Sequence, residues 1–254
     1  MGQAVRPALD FTGKAVLITG ASAGIGYEAA KLFLGGGAVV AVNGASARGA
    51  AVAEELGAIF LQGDIADIGT CRGLIRKTVE AFGRIDILVN NAGLVPVGTA
   101  LDADEEQYDR AFDVNVKGAF FLSKFAIERM RTQGGGAIVN TGSIAGLIGP
   151  KNRAVYAATK GALIAMTRAM AADHASDNIR VNCVCPGMVM SPSLEERIAA
   201  TGDPEAARRR FEAAIPLGRI GSAAEAAMMI CVAASAETGF MTGSVVAIDG
   251  GASL

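Results

Sequence analysis

The chain has 254 residues, 51% of them hydrophobic, with 33 glycines and a formal net charge of -2. That length suits one domain with a large core, and the near-neutral balance offers no basic footprint for nucleic acid. No apolar run is long enough to span a bilayer, and a single histidine excludes a multi-histidine metal site.

The opening stretch, Met1 to Asp10, has no signal-peptide apolar core, and Arg6 stands where a myristoylation signal on Gly2 needs Ser or Thr. A short apolar, β-branched run, Lys14 to Thr19, predicts the first strand, and Gly24 to Leu34 has helical spacing. Strands are predicted next at Ala38 to Asn43, Ala58 to Gln62 and Ile85 to Asn90, with helices at Ser46 to Leu56 and Ile68 to Phe82 between them. Asp104 to Arg131 reads as one long helix or a pair, and Ala137 to Thr141 as a fifth strand after the turn run Gly134-Gly135-Gly136. The helix that carries Tyr156 runs to about His174, and Ile179 to Cys185 is a sixth strand. Ser193 to Glu212 is charged and helical, Ala223 to Ala236 is another helix, and Ser244 to Ile248 a seventh strand. Strand–helix repetition with nearly continuous apolar strands predicts a doubly wound parallel sheet of about seven strands, helices on both faces. The whole of 1–254 is expected to be one dinucleotide-binding and catalytic domain. The four cysteines, Cys71, Cys183, Cys185 and Cys231, form no Cys-x-x-Cys pair, and Cys183 and Cys185 read as small core residues of the sixth strand.

Two local patterns carry chemistry. The first is the turn Thr19-Gly20-Ala21-Ser22-Ala23-Gly24-Ile25-Gly26, placed between a strand and a helix. Glycines there permit a tight turn and close approach of a pyrophosphate, and the helix N-terminus presents free N–H groups to an anion. The second is Tyr156-Ala157-Ala158-Thr159-Lys160, which puts a phenol and an ammonium one helical turn apart on one face. A cation beside a phenol favours the phenolate, which suits such a tyrosine to pass a proton to or from an alcohol or carbonyl oxygen. Taken in isolation, the same spacing also fits a rim aromatic beside a solvated lysine.

Together with Asn90-Asn91-Ala92-Gly93, Asn115, Ser143 and Pro186-Gly187, these two patterns occur in the order and spacing of the short-chain dehydrogenase/reductase superfamily, which the chain resembles over nearly its whole length. The resemblance implies a Rossmann-type fold and a nicotinamide cofactor over the carboxyl ends of the strands. It implies catalytic roles for Asn115, Ser143, Tyr156 and Lys160. Tyr156 is the acid/base, Ser143 bonds the reacting oxygen, Lys160 grips the nicotinamide ribose and assists Tyr156, and Asn115 holds a water of the proton relay. The implied cofactor contacts are Gly20, Ser22, Gly24, Ile25, Gly26, Asn43, Asp64, Ile65, Asn91, Ala92, Gly93, Tyr156, Lys160, Pro186, Gly187, Val189 and Ser191, with Asp64 at the adenine amine and Asn91 to Gly93 along the adenosine ribose. Asn90 braces the strands. The reaction implied is an NAD(P)-dependent interconversion of a secondary alcohol and a ketone.

The second strand ends Val42-Asn43-Gly44-Ala45-Ser46 without the carboxylate that would repel a 2′-phosphate, and Arg48 follows closely, which favours NADP(H) over NAD(H). Ala23, where many NADP-using relatives carry a basic residue, argues the other way. Asn152 to Tyr156, Asn182 to Gly187 and Ser191 to Arg208 resemble a narrower branch, of type 2 hydroxybutyrate dehydrogenase-like proteins and 2-keto-3-deoxy sugar acid dehydrogenases. That likeness makes Arg153, Arg197 and Arg208 candidate carboxylate binders beside Ser143 and Tyr156, and guanidinium forks suit a carboxylate. The expected substrate is a small hydroxy acid or keto-deoxy sugar acid. The alternatives are a carrier-bound 3-oxoacyl group, a neutral sugar or polyol, or dinucleotide sensing without turnover. Residues 187–216 are expected to form a lid. The family commonly pairs helices of this kind across a dimer within a tetramer, so a cytoplasmic homotetramer, a dimer of dimers without nucleic-acid or membrane partners, is expected.

Overall fold

Strands and helices alternate along residues 9–254, the part of the chain that the computed structural model describes. The reading of Met1 to Asp10 therefore lies outside the described residues, apart from Leu9 and Asp10. In order, the elements are β1 (Ala15–Thr19), α1 (Gly24–Gly35), β2 (Val39–Gly44), α2 (Gly49–Leu56), β3 (Ile59–Gln62), α3 (Ile68–Phe82), β4 (Ile87–Asn90) and α4 (Glu105–Phe112). They continue with α5 (Ala119–Thr132), β5 (Gly136–Thr141), α6 (Ala154–His174), β6 (Ile179–Pro186), α7 (Pro192–Ala199), α8 (Pro204–Ala213), α9 (Ala223–Ala234) and β7 (Val245–Ile248). All seven strands pair in parallel, in the order β3-β2-β1-β4-β5-β6-β7. This is the doubly wound α/β sheet that the sequence predicts.

The apolar runs explain the layering. Successive strand side chains point to opposite faces, so a strand covered on both faces must be apolar throughout. Val16 and Ile18 of β1 join Val40, Val42 and Val89 in a core closed by α1 and α9, through Ala29, Phe33, Ala227 and Ile230. Leu17, between them, packs the other way with Leu88 and Ile138, against Leu74 of α3, Leu122 and Phe125 of α5 and Met170 of α6. β1 and β4 are neighbours although β2 and β3 lie between them in sequence. The chain winds outward in one direction from β1 and in the other from β4, and the crevice at their carboxyl ends is where such sheets hold ligands.

Two predicted helical stretches are divided. Between α4 and α5 the backbone passes through a π-helical turn, Asp113–Gly118. A Cβ on Gly118 would lie 2.7 Å from the carbonyl oxygen of Ile65, so the glycine lets this turn press against the loop after β3. The charged stretch Ser193 to Glu212 is two helices rather than one. Asp203 caps α8 by accepting from the Ala206 N–H at 2.9 Å, and Pro204 occupies the first turn, where its missing N–H costs nothing. α7 and α8 build a small core of their own from Leu194, Ile198, Ala207, Ile215 and Ile220, with Met188, Met190 and Phe211 against it.

Candidate active site

At the end of β1 the chain turns through Gly20, with φ +64°, and enters α1 at Gly24, with φ +60°. A Cβ on Gly20 would lie 2.6 Å from the Cα of Ala92, so this glycine brings the two strand ends together as well as permitting the turn. Ala23 precedes α1 without a side-chain cap, and no acidic residue stands in the first turn. Free N–H groups and the positive helix end therefore face the crevice. The space above Gly24 is open toward Ser191, whose Cβ is 3.9 Å from where a Gly24 Cβ would sit. Ser22 leans over the end of β2, its Oγ 2.6 Å from the place of a Cβ on Gly44. These residues suit the phosphates of a dinucleotide.

The loop after β4 is stapled to that turn. The Asn91 side chain donates to the carbonyls of Thr19 and Gly20, both at 3.0 Å, and the Thr19 hydroxyl accepts the N–H groups of Asn91 and Ala92 at 3.1 Å. Asn90 donates to Asn140 at 2.8 Å and to Ser123 at 3.0 Å, which ties β4 to β5 and α5. Asn43 spends both amide N–H groups on the carbonyls of Leu61 and Gly63, so its side chain serves the β2–β3 seam. Asp64 accepts from the Ala66 N–H at 3.0 Å and pairs with Arg110 of α4 at 2.8 Å. Burial would raise its carboxyl, but the Ala66 N–H and the Arg110 guanidinium outweigh that and hold it below its ordinary value. Ile65 is buried in the core beneath α3, whereas Ile25 is only partly buried, at the start of α1.

On the far side, Pro186 closes β6 and Gly187 follows it, its N–H donating to the carbonyl of Ile248. A Cβ on Gly187 would lie 2.6 Å from the Cβ of Asp249, so only glycine lets β6 and β7 end this close. Val189 bridges to Gly221, and Ser191 caps α7 by accepting the Leu194 N–H. The two expected contacts thus lie on the strut that faces the glycine turn.

The four residues expected to be catalytic lie between β5, α6 and the π-helical turn. Lys160 is 4% exposed and donates from Nζ to the Thr141 carbonyl at 2.7 Å. Its Nζ also lies 5.7 Å from the centre of the Tyr156 ring, so the phenol and the ammonium face one another as their spacing predicts. A Cβ on Gly93 would fall 3.5 Å from Lys160 Nζ and 3.3 Å from Asn115 Oδ1, which places both groups beside the same face of one glycine. The Asn115 side chain is engaged by both main-chain groups of Leu94 and by the Thr159 hydroxyl, at 2.7, 2.9 and 3.0 Å. Thr159 in turn donates to the Tyr156 carbonyl, joining the π-helical turn to the catalytic helix. Ser143 begins a single 3₁₀ turn, Ile144–Gly146, and its Oγ accepts the Ala145 N–H at 3.1 Å. A Cβ on Gly146 would meet the backbone of Lys160 at 2.7 Å, so the serine turn seats directly on α6.

Of the three arginines, two feel each other's charge. Arg153, at the entrance of α6, donates to the Asn152 carbonyl at 2.7 Å, and its backbone bridges to Gly98. Burial, then the neighbouring Arg197 cation, pull Arg153 below the usual arginine value, while Tyr156 acts weakly the other way. Among the described residues neither Arg153 nor Arg197 pairs with a carboxylate. Arg208 is placed differently. It pairs with Glu212 at 3.0 Å and lines a cleft between α7 and α8 with Met190, Glu195 and Ile198.

Sequence reading did not single out Thr19, Arg110, Thr141 or Thr159. Thr141 works through its carbonyl and Arg110 through an ion pair between remote elements, and neither leaves a local sequence signal.

A family model described as enoyl-(acyl carrier protein) reductase matches residues 20–253. The chain belongs to the short-chain dehydrogenase/reductase family. It is similar to an uncharacterized oxidoreductase of Thermotoga maritima, 47% identical over 96% of this chain and 98% of that protein. It is also similar to the L-fucose dehydrogenase of Bos taurus, 39% identical over 96% of this chain and 91% of the relative. The 2-keto-3-deoxy-L-fuconate dehydrogenase of Xanthomonas campestris is 39% identical over 96% of this chain and 82% of its own. The protein is an oxidoreductase that acts on CH–OH donors, and dehydrogenases of this family use NAD(P).

Proposed function

We propose that this enzyme interconverts a secondary alcohol and a ketone on a small, carboxylate-bearing substrate, a hydroxy acid or keto-deoxy sugar acid, with a nicotinamide coenzyme. The observation that carries the reading is that Arg153 feels the charge of both Arg197 and Tyr156, while neither arginine is paired with a carboxylate among the described residues. Bound in the crevice, the coenzyme supplies hydride transfer. Tyr156 takes the proton of the alcohol in oxidation and returns it in reduction. Ser143 steadies the substrate oxygen as charge develops on it. Lys160, anchored on the Thr141 carbonyl, keeps its cation against the phenol, and its nearness to Asn115 beside Gly93 supports a proton route between them. Arg153 and Arg197 orient the acid so that its carbinol meets Tyr156.

The end of β2 supports NADP(H), because Gly44, Ala45 and Ser46 present no carboxylate and Arg48 is exposed at the start of α2. Residues 187–216 serve as the substrate lid of a single domain, with the small core of α7 and α8 moving as one piece. Ala158, Ala165, Ala169 and Ala172 are exposed along α6, which supports association into a homotetramer. Four free, buried thiols suit a reducing cytoplasm.

Initial rates with both coenzymes test the reading, using L-fucose, 2-keto-3-deoxy-L-fuconate, 3-hydroxybutyrate and a 3-oxoacyl thioester. Activity on the acids is expected. Activity confined to neutral L-fucose favours the sugar-dehydrogenase alternative, which the Bos taurus relative's name supports. Tyr156→Phe is expected to abolish turnover and keep coenzyme affinity, and a variant retaining more than about a tenth of the rate removes Tyr156 from the acid/base role.

A further inference from the structure

The two residues before Ser143 are held from three directions, and one of these has no part in the chemistry described so far. The Thr141 carbonyl is taken by Lys160. The Gly142 N–H donates to the Val184 carbonyl at 2.7 Å, extending the β5–β6 ladder past the strand end. Gly142 itself rests on two sulfur atoms: a Cβ there would lie 2.6 Å from Cys183 Sγ and 2.7 Å from Cys185 Sγ. The sulfurs are 3.7 Å apart, on one face of β6, and both cysteines are fully buried. The backbone N–H of Ser143 lies near enough to Cys185 to favour its thiolate. Ile164 and Val245 enclose the pair in an apolar box.

We propose that Cys183 and Cys185 are positioning residues for Ser143: Cys183 S–H donates to Cys185 Sγ, and Cys185 Sγ accepts the Ser143 N–H. The two donors hold one sulfur in place, and that sulfur orients the peptide from which the serine hydroxyl projects. The titration directions agree. The bond from Cys183, with the Ser143 N–H and Lys160, holds the Cys185 thiol below its ordinary value, and the same bond together with burial pushes Cys183 above it. A sulfur suits this place because it is a small apolar body that still accepts a hydrogen bond. Valine would fill the space under Gly142 without offering the Ser143 N–H an acceptor, and alanine would do neither.

The inference rests on the reading of Ser143 as the group that holds the reacting oxygen, so the test separates the two. The probe is whichever of L-fucose and 2-keto-3-deoxy-L-fuconate the wild type turns over, with thermal melting recorded for every variant. Cys185→Ala is expected to lower kcat about tenfold without changing the coenzyme KM, because small misplacements of a catalytic group are costly. Cys185→Ser, which restores an acceptor, is expected to recover at least about half the rate. In a Ser143→Ala background, Cys185→Ala should cost nothing more. A Cys185→Ala enzyme with the wild-type kcat overturns the proposal, and so does a loss that persists undiminished when Ser143 is already alanine. If Ser143→Ala alone keeps full activity, the serine reading fails, and the positioning role falls with it. The thiol geometry is checked independently of activity by infrared difference spectra between native enzyme and Cys183→Ala. The Cys183 S–H stretch is expected at a lowered, hydrogen-bonded position that moves up in Cys185→Ala. A stretch at the free-thiol position in the native enzyme overturns the pair.

Discussion

Two guanidinium groups that approach one another without a carboxylate between them raise the free energy of the folded chain unless an anion joins them. Arg153 and Arg197 are such a pair, with Arg153 partly withdrawn from water. Under the proposed function an acidic substrate would relieve that repulsion, which assigns the arginines to ground-state binding. Arg153→Ala is therefore expected to raise the KM for the acid about 10- to 100-fold, at nearly unchanged kcat, and to leave the KM of a neutral alcohol alone. Steady-state kinetics with both substrate types check this. Arg208 differs at the same scale, since Glu212 already answers its charge, and Arg208→Ala is expected to have the smaller effect. The spacing of Tyr156 and Lys160 is readable because one helix sets it. The meeting of Arg153 and Arg197 is not, because they belong to separate helices whose packing no local pattern specifies.

Among the elements, β6 does more than its apolar sequence suggests. Arg180 sends its guanidinium across the end of α9 and donates to the carbonyls of Ala233, Ala234, Ser235, Thr238 and Met241. The first three are carbonyls that the end of α9 leaves unsatisfied, and the cation also meets the negative end of the helix dipole. Burial lowers Arg180 from its ordinary value without neutralising it. Arg180→Leu is expected to destabilise the fold by about 2–4 kcal/mol, from several carbonyls left without donors, as urea unfolding would show. The effect reaches the site indirectly, because α9 helps to hold the β-sheet under the glycine turn. Element identities were legible from alternating strand and helix patterns. The break between α7 and α8 was signalled by Gly202-Asp203-Pro204, a helix stop followed by a cap and a first-turn proline, but charge continuity on either side concealed it.

Over the whole molecule, several carboxylates are stabilised in their ionised form. The Arg219 guanidinium, then the Ser222 N–H and hydroxyl, hold Glu225 down at about 2, from an ordinary 4.5. The Thr70 N–H lowers Asp67, and the His174 ring lowers Asp177. Each depressed carboxylate contributes stability that is fully present above its unfolded value and is lost as pH falls through the folded one. The melting temperature is therefore expected to hold near neutrality and to fall between pH 4.5 and about 2. Glu225→Gln should flatten part of that fall, and calorimetric scans across the acid range measure both.

What the sequence by itself determined is whatever depends on neighbours along the chain. Apolar alternation set the strands, the glycine turn set the sharp entry into α1, and one helical turn set the phenol against the ammonium. Only the tertiary structure decided how separate elements meet: Lys160 on the Thr141 carbonyl, Asn115 clasped by Leu94 and Thr159, Asp64 claimed by Arg110, and Gly142 seated on two thiols. The physical reason is that these contacts cross from one strand or helix to another. Parallel strands are joined by long crossovers, so partners at the carboxyl ends of the sheet lie far apart in sequence, and only packing fixes their distance.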